Sequence, residues 1–307
     1  MVDFDFINYY FGMGNQNNNG DFILAIWDAL ESNYHSRDDV CGISVGFRDY
    51  DCLLRGLHKS ELTVIASRPS LGKSALAISM FNFILFQQIP VLFISYEMNK
   101  ETLGFRIFSA IKEIVFSKML WGYMSQKDWE HLTEATYEVG TLVRQGYLDL
   151  VPSCVFGISE LIDKIKDFAS IHPDGVVFID YFQLIPLESL EDRYEQMARN
   201  AALLKNLAVE LDIPIVLMAQ VNKKCEEHSD KGPLLCEISE CDALAHFADN
   251  VLFIHKDIYG ASERINKDNI FDIIIAKQKN GISSCCFPLI FNDECCKFID
   301  VPQEDEE

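Results

Sequence analysis

The stretch that most limits what this chain can become runs from Leu62 to Phe81. An apolar, β-branched segment, Leu62-Thr63-Val64-Ile65-Ala66-Ser67, enters Arg68-Pro69-Ser70-Leu71-Gly72-Lys73-Ser74 and leaves as Ala75-Leu76-Ala77-Ile78-Ser79-Met80-Phe81. The first part reads as a buried strand, the last as a helix, and the middle as a tight loop closed by Gly-Lys-Ser. Strand, loop and helix in that order make a phosphate-binding loop, whose backbone N–H groups and helix N-terminus surround a polyphosphate. In such a loop Lys73 reaches the β- and γ-phosphates and the Ser74 hydroxyl ligates Mg2+. Ser67 stands where the usual pattern has its first glycine, so a bare pattern search passes over the site. The expected binding set is Ser67, Arg68, Pro69, Ser70, Leu71, Gly72, Lys73 and Ser74, with ATP and Mg2+ as the ligands.

Four further apolar runs recur, each followed by a polar or helical piece: Val91-Leu92-Phe93-Ile94-Ser95, Val176-Val177-Phe178-Ile179-Asp180, Ile213 to Ala219, and Asn250-Val251-Leu252-Phe253-Ile254. Helical periodicity fills the stretches around 101–115, 126–140, 158–170 and 192–211. Continuous apolar strands alternating with helices predict an α/β fold, a mostly parallel twisted sheet with helices on both faces. The final stretch, Phe271 to Lys277 and on through Pro288 to Phe291, predicts antiparallel strands around the Asn280-Gly281 hairpin signal. Near the start, Asp21 to Leu30 has apolar residues at helical spacing with Asp21 as its N-cap. That apolar face is buried either in its own core or on a neighbouring subunit. Residues 35–44 read as a linker.

Composition bounds the rest. With 307 residues, 49% of them hydrophobic, the chain supports one large core plus an appendage. No apolar run reaches 18 residues, which predicts no membrane span. The start lacks a basic secretory signal, so a reduced, cytoplasmic location is expected for the ten cysteines. Two vicinal pairs, Cys285-Cys286 and Cys295-Cys296, are placed to face each other across a terminal hairpin, as half-buried thiols or as a metal site. The formal charge of −21 argues against a generic polyanion binder, so any nucleic-acid contact must rest on a local set of residues.

Ligands of parallel sheets bind at the carboxyl ends of the strands, so the polar residues there carry information. Asp180 closes its strand where a carboxylate would organise Mg2+ opposite Ser74. Glu97, just past Ser95, is placed to polarise an attacking water, and Gln220, after Ala219, to sense the γ-phosphate. Together behind a phosphate loop, the three predict hydrolysis of a nucleoside triphosphate.

From about Gly42 to Asp300 the chain resembles the motor domain of DnaB-like replicative DNA helicases, a RecA-like ATPase. The pieces that carry the resemblance are Val45 to Asp51, Ser67 to Ser74, Ser95-Tyr96-Glu97-Met98 and Ile179 to Ile185, then Leu204 to Ala208, Ala219 to Lys223 and Lys277 to Gly281. The resemblance implies a homo-oligomeric ring, a hexamer, with ATP between subunits and single-stranded DNA in the channel. It implies that Lys277 and Lys279 act in trans on the next subunit's nucleotide. It makes the segment Asp21–Leu30 a linker helix and divides the chain into an arm and linker helix (1–41), a RecA-like ATPase domain (42–302) and an acidic tail (303–307). A second helicase or a helicase loader is a further expected partner. The family's primase-binding amino-terminal domain has no expected counterpart here.

Two departures bear on activity. The family has arginine where this chain has Lys279, and lysine lacks the planar guanidinium fork of an arginine finger. The family also carries Arg-Glu-Ser-Gly where this chain has Ser239-Glu240-Cys241-Asp242, in the loop expected to hold DNA. Losing that arginine removes a phosphate partner, and Asp242 adds negative charge. Lys223, Lys224 and Lys231 stand nearby, as compensating DNA contacts or as part of a solvated loop. The leading expectation is an ATP-dependent helicase motor. Its rivals are an ATP-binding paralogue that assembles or regulates without unwinding, and a RecA-like ATPase acting on protein.

Overall fold

The computed structural model describes residues 40–187, 192–221, 242–256, 269–281 and 284–302, with Ile26, Leu235 and Ile238 besides. The chain divides into two compact units, Met1–Cys41 and Gly42–Glu307, and the sheet lies in the second. Apart from Ile26, the expected linker helix at Asp21–Leu30 lies outside the described residues, as does the acidic tail from Gln303.

The strands are β1 (Leu62–Ser67), β2 (Val91–Ser95), β3 (Leu148–Val151), β4 (Val176–Asp180), β5 (Ile215–Gln220), β6 (Asn250–His255), β7 (Ile270–Gln278), β8 (Cys285–Asn292) and β9 (Lys297–Asp300). The helices are α1 (Arg48–Leu54), α2 (Lys73–Phe86), α3 (Lys100–Lys112), α4 (Phe116–Trp121), α5 (Gln126–Arg144), α6 (Ile158–Ile171), α7 (Arg193–Leu211) and α8 (Asp242–Phe247). Among the described residues these nine strands join one sheet in the order β3-β2-β4-β5-β1-β6-β7-β8-β9. From β3 to β6 the neighbours run parallel, and β6 to β9 are antiparallel. The phosphate-loop strand β1 is thus interior, flanked by β5 and β6, and all six of its residues are buried.

Strands covered on both faces have no polar side, which is why these segments read as unbroken apolar runs. The two faces pack separate cores. Ile65 of β1 joins Tyr50, Leu54, Phe81 and Ile107 on the face of α1, α2 and α3. Its neighbours Leu62, Val64 and Ala66 join Leu161, Leu204 and Leu244 on the face of α6, α7 and α8. Helix α2 is buried on nearly every side, and Phe81 sets its ring edge-on to Phe93 (5.4 Å) and Phe178 (6.4 Å). Truncating such a ring costs about 3–5 kcal/mol. Phe81 thereby anchors α2, and the phosphate loop before it, to β2 and β4.

Local chemistry sets several boundaries. Glu113 adopts φ 54 and stops α3, so the helical stretch expected over 101–115 divides before α4. Pro214 cannot donate to a ladder, so the run that begins at Ile213 becomes strand only from Ile215. Asp51 accepts the N–H groups of Val45 (3.0 Å) and Gly46 (3.3 Å), which shapes the turn ahead of α1. Among the described residues no helix is long and apolar enough to cross a membrane.

The cysteine expectation is corrected. Cys285 and Cys286 begin β8, opposite Ile275 and Ile274 of β7, whereas Cys295 and Cys296 lie in the turn after its far end. The pairs lie beyond opposite ends of the stretch Phe287 to Asn292, because β8 runs between them. No cluster of metal-binding type is present among the described residues.

Candidate active site

The carboxyl ends of β1, β2, β4 and β5 bring together the residues expected there. After Ser67 the chain turns through Arg68, Pro69, Ser70 and Leu71 to Gly72, and α2 starts at Lys73. Ser67 is buried, and its hydroxyl donates to Arg68 O at 2.9 Å, a local bond that a glycine would lack. Gly72 has φ +87, and a Cβ there would come within 2.8 Å of the Phe298 ring, so only glycine closes this loop. The first turn of α2 has no acidic residue and no side-chain cap, leaving its N–H groups directed at whatever anion approaches.

Lys73 and Asp180 face each other across this corner. Asp180 is completely buried at the end of β4. Burial drives its pKa above the ordinary 3.8, against the pull of the Lys73 charge and the Ser74 hydroxyl; Glu97 pushes it further up and Arg106 pulls it down. Neither carboxylate oxygen meets a hydrogen-bond partner among the described residues. Burial likewise holds the Lys73 ammonium below its usual 10.5, opposed by Asp180 and Glu97. The ammonium lies 4.0 Å over the ring of Tyr181, whose peptide link to Asp180 is cis. A buried carboxylate with two open oxygens, beside a serine hydroxyl and an ammonium, is a donor set that fits a hard divalent cation carried in with a polyphosphate.

Glu97 is exposed at the end of β2, in a turn fixed on both sides. Tyr96 N–H donates to Asp180 O at 2.7 Å, and Met98 N–H donates to Ser95 Oγ at 3.0 Å. Those bonds leave the Glu97 carboxylate in solvent while its backbone is tied to the Asp180 strand. Gln220 ends β5, paired in register with Ser67.

Arg106 belongs to the same constellation and is not among the residues the motifs single out. Its charge acts on Asp180, its guanidinium lies 5.5 Å from the Phe116 ring, and its Nε is buried with no partner among the described residues. The signal was its place on α3: Leu103, Ile107 and Ala110 form the buried stripe, and Arg106 interrupts it at helical spacing.

Lys277 and Lys279 are not brought to this corner. They lie at the opposite, amino edge of the sheet, where β7 antiparallel to β6 places Lys277 beside Val251. Lys277 Nζ donates to the carbonyls of Ala245, His246 and Ala248 (2.9, 2.9 and 2.6 Å), closing the end of α8. Lys279 is mostly exposed, with its ammonium 3.4 Å from Asp249. Asp249 is buried and also accepts from Lys205 Nζ at 2.6 Å and from the Leu62 N–H at 2.9 Å. Neither lysine can serve the phosphate loop of its own chain. Lys223, Lys224, Lys231, Ser239 and Glu240 lie outside the described residues.

Comparison with known proteins places these features in a family. The family model for the DnaB-like helicase C terminal domain matches residues 42–300. The chain is 32% identical over 265 residues to the replicative DNA helicase DnaC of Bacillus subtilis (strain 168), covering 85% of this chain and 57% of the relative. It is 32% identical over 292 residues to the replicative DNA helicase DnaB of Geobacillus stearothermophilus, covering 94% and 63%. The chain therefore spans little more than half the length of the curated relatives it matches. Among solved structures, a DnaB-like replicative helicase superposes with a TM-score of 0.78 at 25% identity, over 90% of this chain and 66% of that one. A separately solved ATPase domain superposes with a TM-score of 0.83 at 24% identity, over 94% of this chain and 100% of that one. The fold is of the RecA-like ATPase type.

Proposed function

The chain belongs to the family of DnaB-like helicase C-terminal domains, and from that premise we propose that it is the ATP-hydrolysing motor of a replicative DNA helicase. The observation that carries the reading is the buried Asp180 carboxylate, both oxygens open, beside Lys73 and Ser74 at the end of a phosphate loop. The N–H groups of the loop and of α2, with the Lys73 ammonium, hold the β- and γ-phosphates. Ser74 and Asp180 are the residues that would hold Mg2+. Such an ion, when bound, would supply positive charge against that which builds on the phosphate oxygens.

Occupation of the site draws Lys73 off the Tyr181 ring toward phosphate, since a ring face is a weaker partner than a doubly charged oxygen cluster. Glu97 orients and polarises the attacking water from the solvent side. Gln220 meets the γ-phosphate from β5, and Arg106 adds positive charge beside Asp180. Lys279, exposed on the opposite edge, reaches the neighbouring subunit's nucleotide in a ring of identical chains. Lys277 holds α8 in place behind it. Residues 1–41 form the arm and linker helix that joins subunits, 42–302 the motor, and 303–307 a solvated tail. Single-stranded DNA in the ring channel meets the loop that carries Lys223, Lys224, Lys231, Ser239 and Glu240. The working form is hexameric and cytoplasmic.

A second reading, the paralogue that binds ATP and assembles without unwinding, draws support from Lys279. An arginine finger contributes on the order of 10³–10⁵ in rate, and a lysine already drawn toward Asp249 supplies less. ATP turnover with and without single-stranded DNA, alongside particle mass, separates the readings. The motor reading expects turnover stimulated by DNA, binding that weakens as salt rises, and turnover abolished in Lys73→Ala and Glu97→Gln. Equal turnover with and without DNA favours the paralogue; wild-type turnover in both variants removes the site assignment.

A further inference from the structure

Strand β5 ends at Gln220, and its two flanking strands support that end unequally. On one side β1 follows it to the last residue, with Ser67 paired to Gln220 and the Val221 N–H donating to Ser67 O at 3.0 Å. On the other side the pairing with β4 stops at Ile179 and Leu217. Beyond Asp180 the chain turns away into the short helical turn Phe182–Leu184. Along a strand, successive residues direct their N–H and C=O to opposite sides. The Val221 N–H faces β1, so both main-chain groups of Gln220 face the β4 side, past the end of the ladder. Half-buried main-chain groups there need partners.

Gln183 supplies both. The Gln220 N–H donates to Gln183 Oε1 at 3.1 Å, and Gln183 Nε2 donates to Gln220 O at 3.2 Å. A primary amide presents a donor and an acceptor side by side, as a peptide group does, and so continues the ladder by one residue. Asparagine has the same amide on a shorter arm. The turn bearing Gln183 is itself tied down, since Gln183 O accepts from Arg193 Nη2 of α7 at 3.3 Å. Gln183 stands three residues after Asp180 and bonds to the main chain of Gln220, so one side chain spans the two strand ends.

We propose that Gln183 is a positioning residue for hydrolysis: by clamping the main chain of Gln220 to the turn that leaves Asp180, it fixes the spacing between the metal-holding carboxylate and the amide that meets the γ-phosphate. The inference rests on the phosphate-site reading above. A side chain is placed no more accurately than its own backbone, and a displacement of about 1 Å costs on the order of 10² in rate. The clamp acts on geometry within the bound complex, so its loss falls on kcat more than on nucleotide affinity.

The test uses the full chain with Gln183→Met, which keeps the length and removes both bonds, and Gln183→Glu, which keeps the acceptor and, ionised, cannot donate to Gln220 O. Three quantities are read: steady-state ATP turnover, binding of a fluorescent ATP analogue, and hydrogen exchange of the Gln220 amide. For Gln183→Met the expected result is analogue affinity within about twofold of wild type, kcat down on the order of tenfold, and faster exchange at Gln220. Gln183→Glu is expected to keep Gln220 protected from exchange and to lose less in kcat. Wild-type kcat in Gln183→Met with faster exchange overturns the proposal, leaving Gln183 a structural tie; unchanged exchange overturns the clamp itself. Should the methionine variant not fold, undiminished kcat in the glutamate variant overturns the proposal as well. A wild-type chain that binds no analogue and hydrolyses no ATP removes the phosphate-site reading and this inference with it, an outcome distinct from the others.

Discussion

At the carboxyl edge of the sheet Asp180 is fully buried and neither of its oxygens meets a donor among the described residues; at the amino edge Asp249, nearly as buried, meets three. Both are carboxylates closing or opening a central strand, and both lie near lysines. Their surroundings differ in what is left over. Around Asp249 both oxygens are met, by Lys205, Lys279 or the start of β1, the arrangement that makes a buried charge tolerable. Around Asp180 the bonding capacity is left open, and a charge kept that way is costly to the fold. The amino edge therefore reads as construction and the carboxyl edge as chemistry, with the lysines divided accordingly. Lys277 is used up by three carbonyls, while Lys279 keeps most of its ammonium in solvent.

The sharpest way to break this contrast is Asp180→Asn. Turnover should fall on the order of 10³. The nucleotide-free chain should nevertheless melt at a higher temperature at neutral pH, because the cost of burying the Asp180 charge outweighs the pull of Lys73 and Arg106 on it. The pH dependence has a definite sign. Burial raises the Asp180 pKa above 3.8, so over the interval from 3.8 up to that raised value the folded chain holds a proton that the unfolded chain has released. Its contribution to stability therefore declines as pH climbs through that interval, and the asparagine variant should lack this component. Calorimetric melting against pH, paired with an ATPase assay, checks both halves; a lower melting point at neutral pH would count against the contrast.

Asp249→Ala attacks the other edge. It strands the Lys205 ammonium and the Leu62 N–H, and should cost about 3–5 kcal/mol in urea denaturation. Lys277→Met removes the donor from three helix-end carbonyls, for a loss of about 1–2 kcal/mol by the same measurement. If Lys277→Met were neutral in stability, its three short contacts would not be structural. Lys279→Arg is the mildest. Stability should stay within about 0.5 kcal/mol, while turnover of the assembled protein rises about tenfold as the planar fork is restored. That assay is read only at concentrations where particle mass shows an oligomer.

Much of this arrangement was legible in the residues, for a reason that also explains what was not. β1, β2, β4, β5 and β6 are covered on both faces, so each writes itself as an unbroken apolar run, and the polar residue that ends the run marks the carboxyl edge. Residues Ser67 to Ser74, Glu97, Asp180 and Gln220 followed from that. β3 and β9 went unseen because they are short outer strands, partly exposed, with charged residues such as Asp149, Lys297 and Asp300 inside them. Arg106 and Gln183 find their partners, Asp180 and the Gln220 main chain, on other elements, which periodicity does not encode. The vicinal cysteines misled because their spacing in sequence says nothing of the strand that holds them apart. Lys277 was expected, by resemblance, to act in trans, and its grip on α8 depends on where β7 places it against β6.

Phe298 of β9 sits against Gly72 in the phosphate loop, and its N–H donates to Ser79 Oγ of α2 at 3.0 Å. β1 itself has both its neighbours, β5 and β6, far downstream. On a ribosome, the phosphate loop is thus translated well before the strands that flank and brace it. Some 230 residues of synthesis, by the difference between positions 72 and 298, pass between the making of the loop and the arrival of the ring that braces it. At about 5–20 residues per second that is on the order of ten seconds or more in which the nascent loop has no lid over its back.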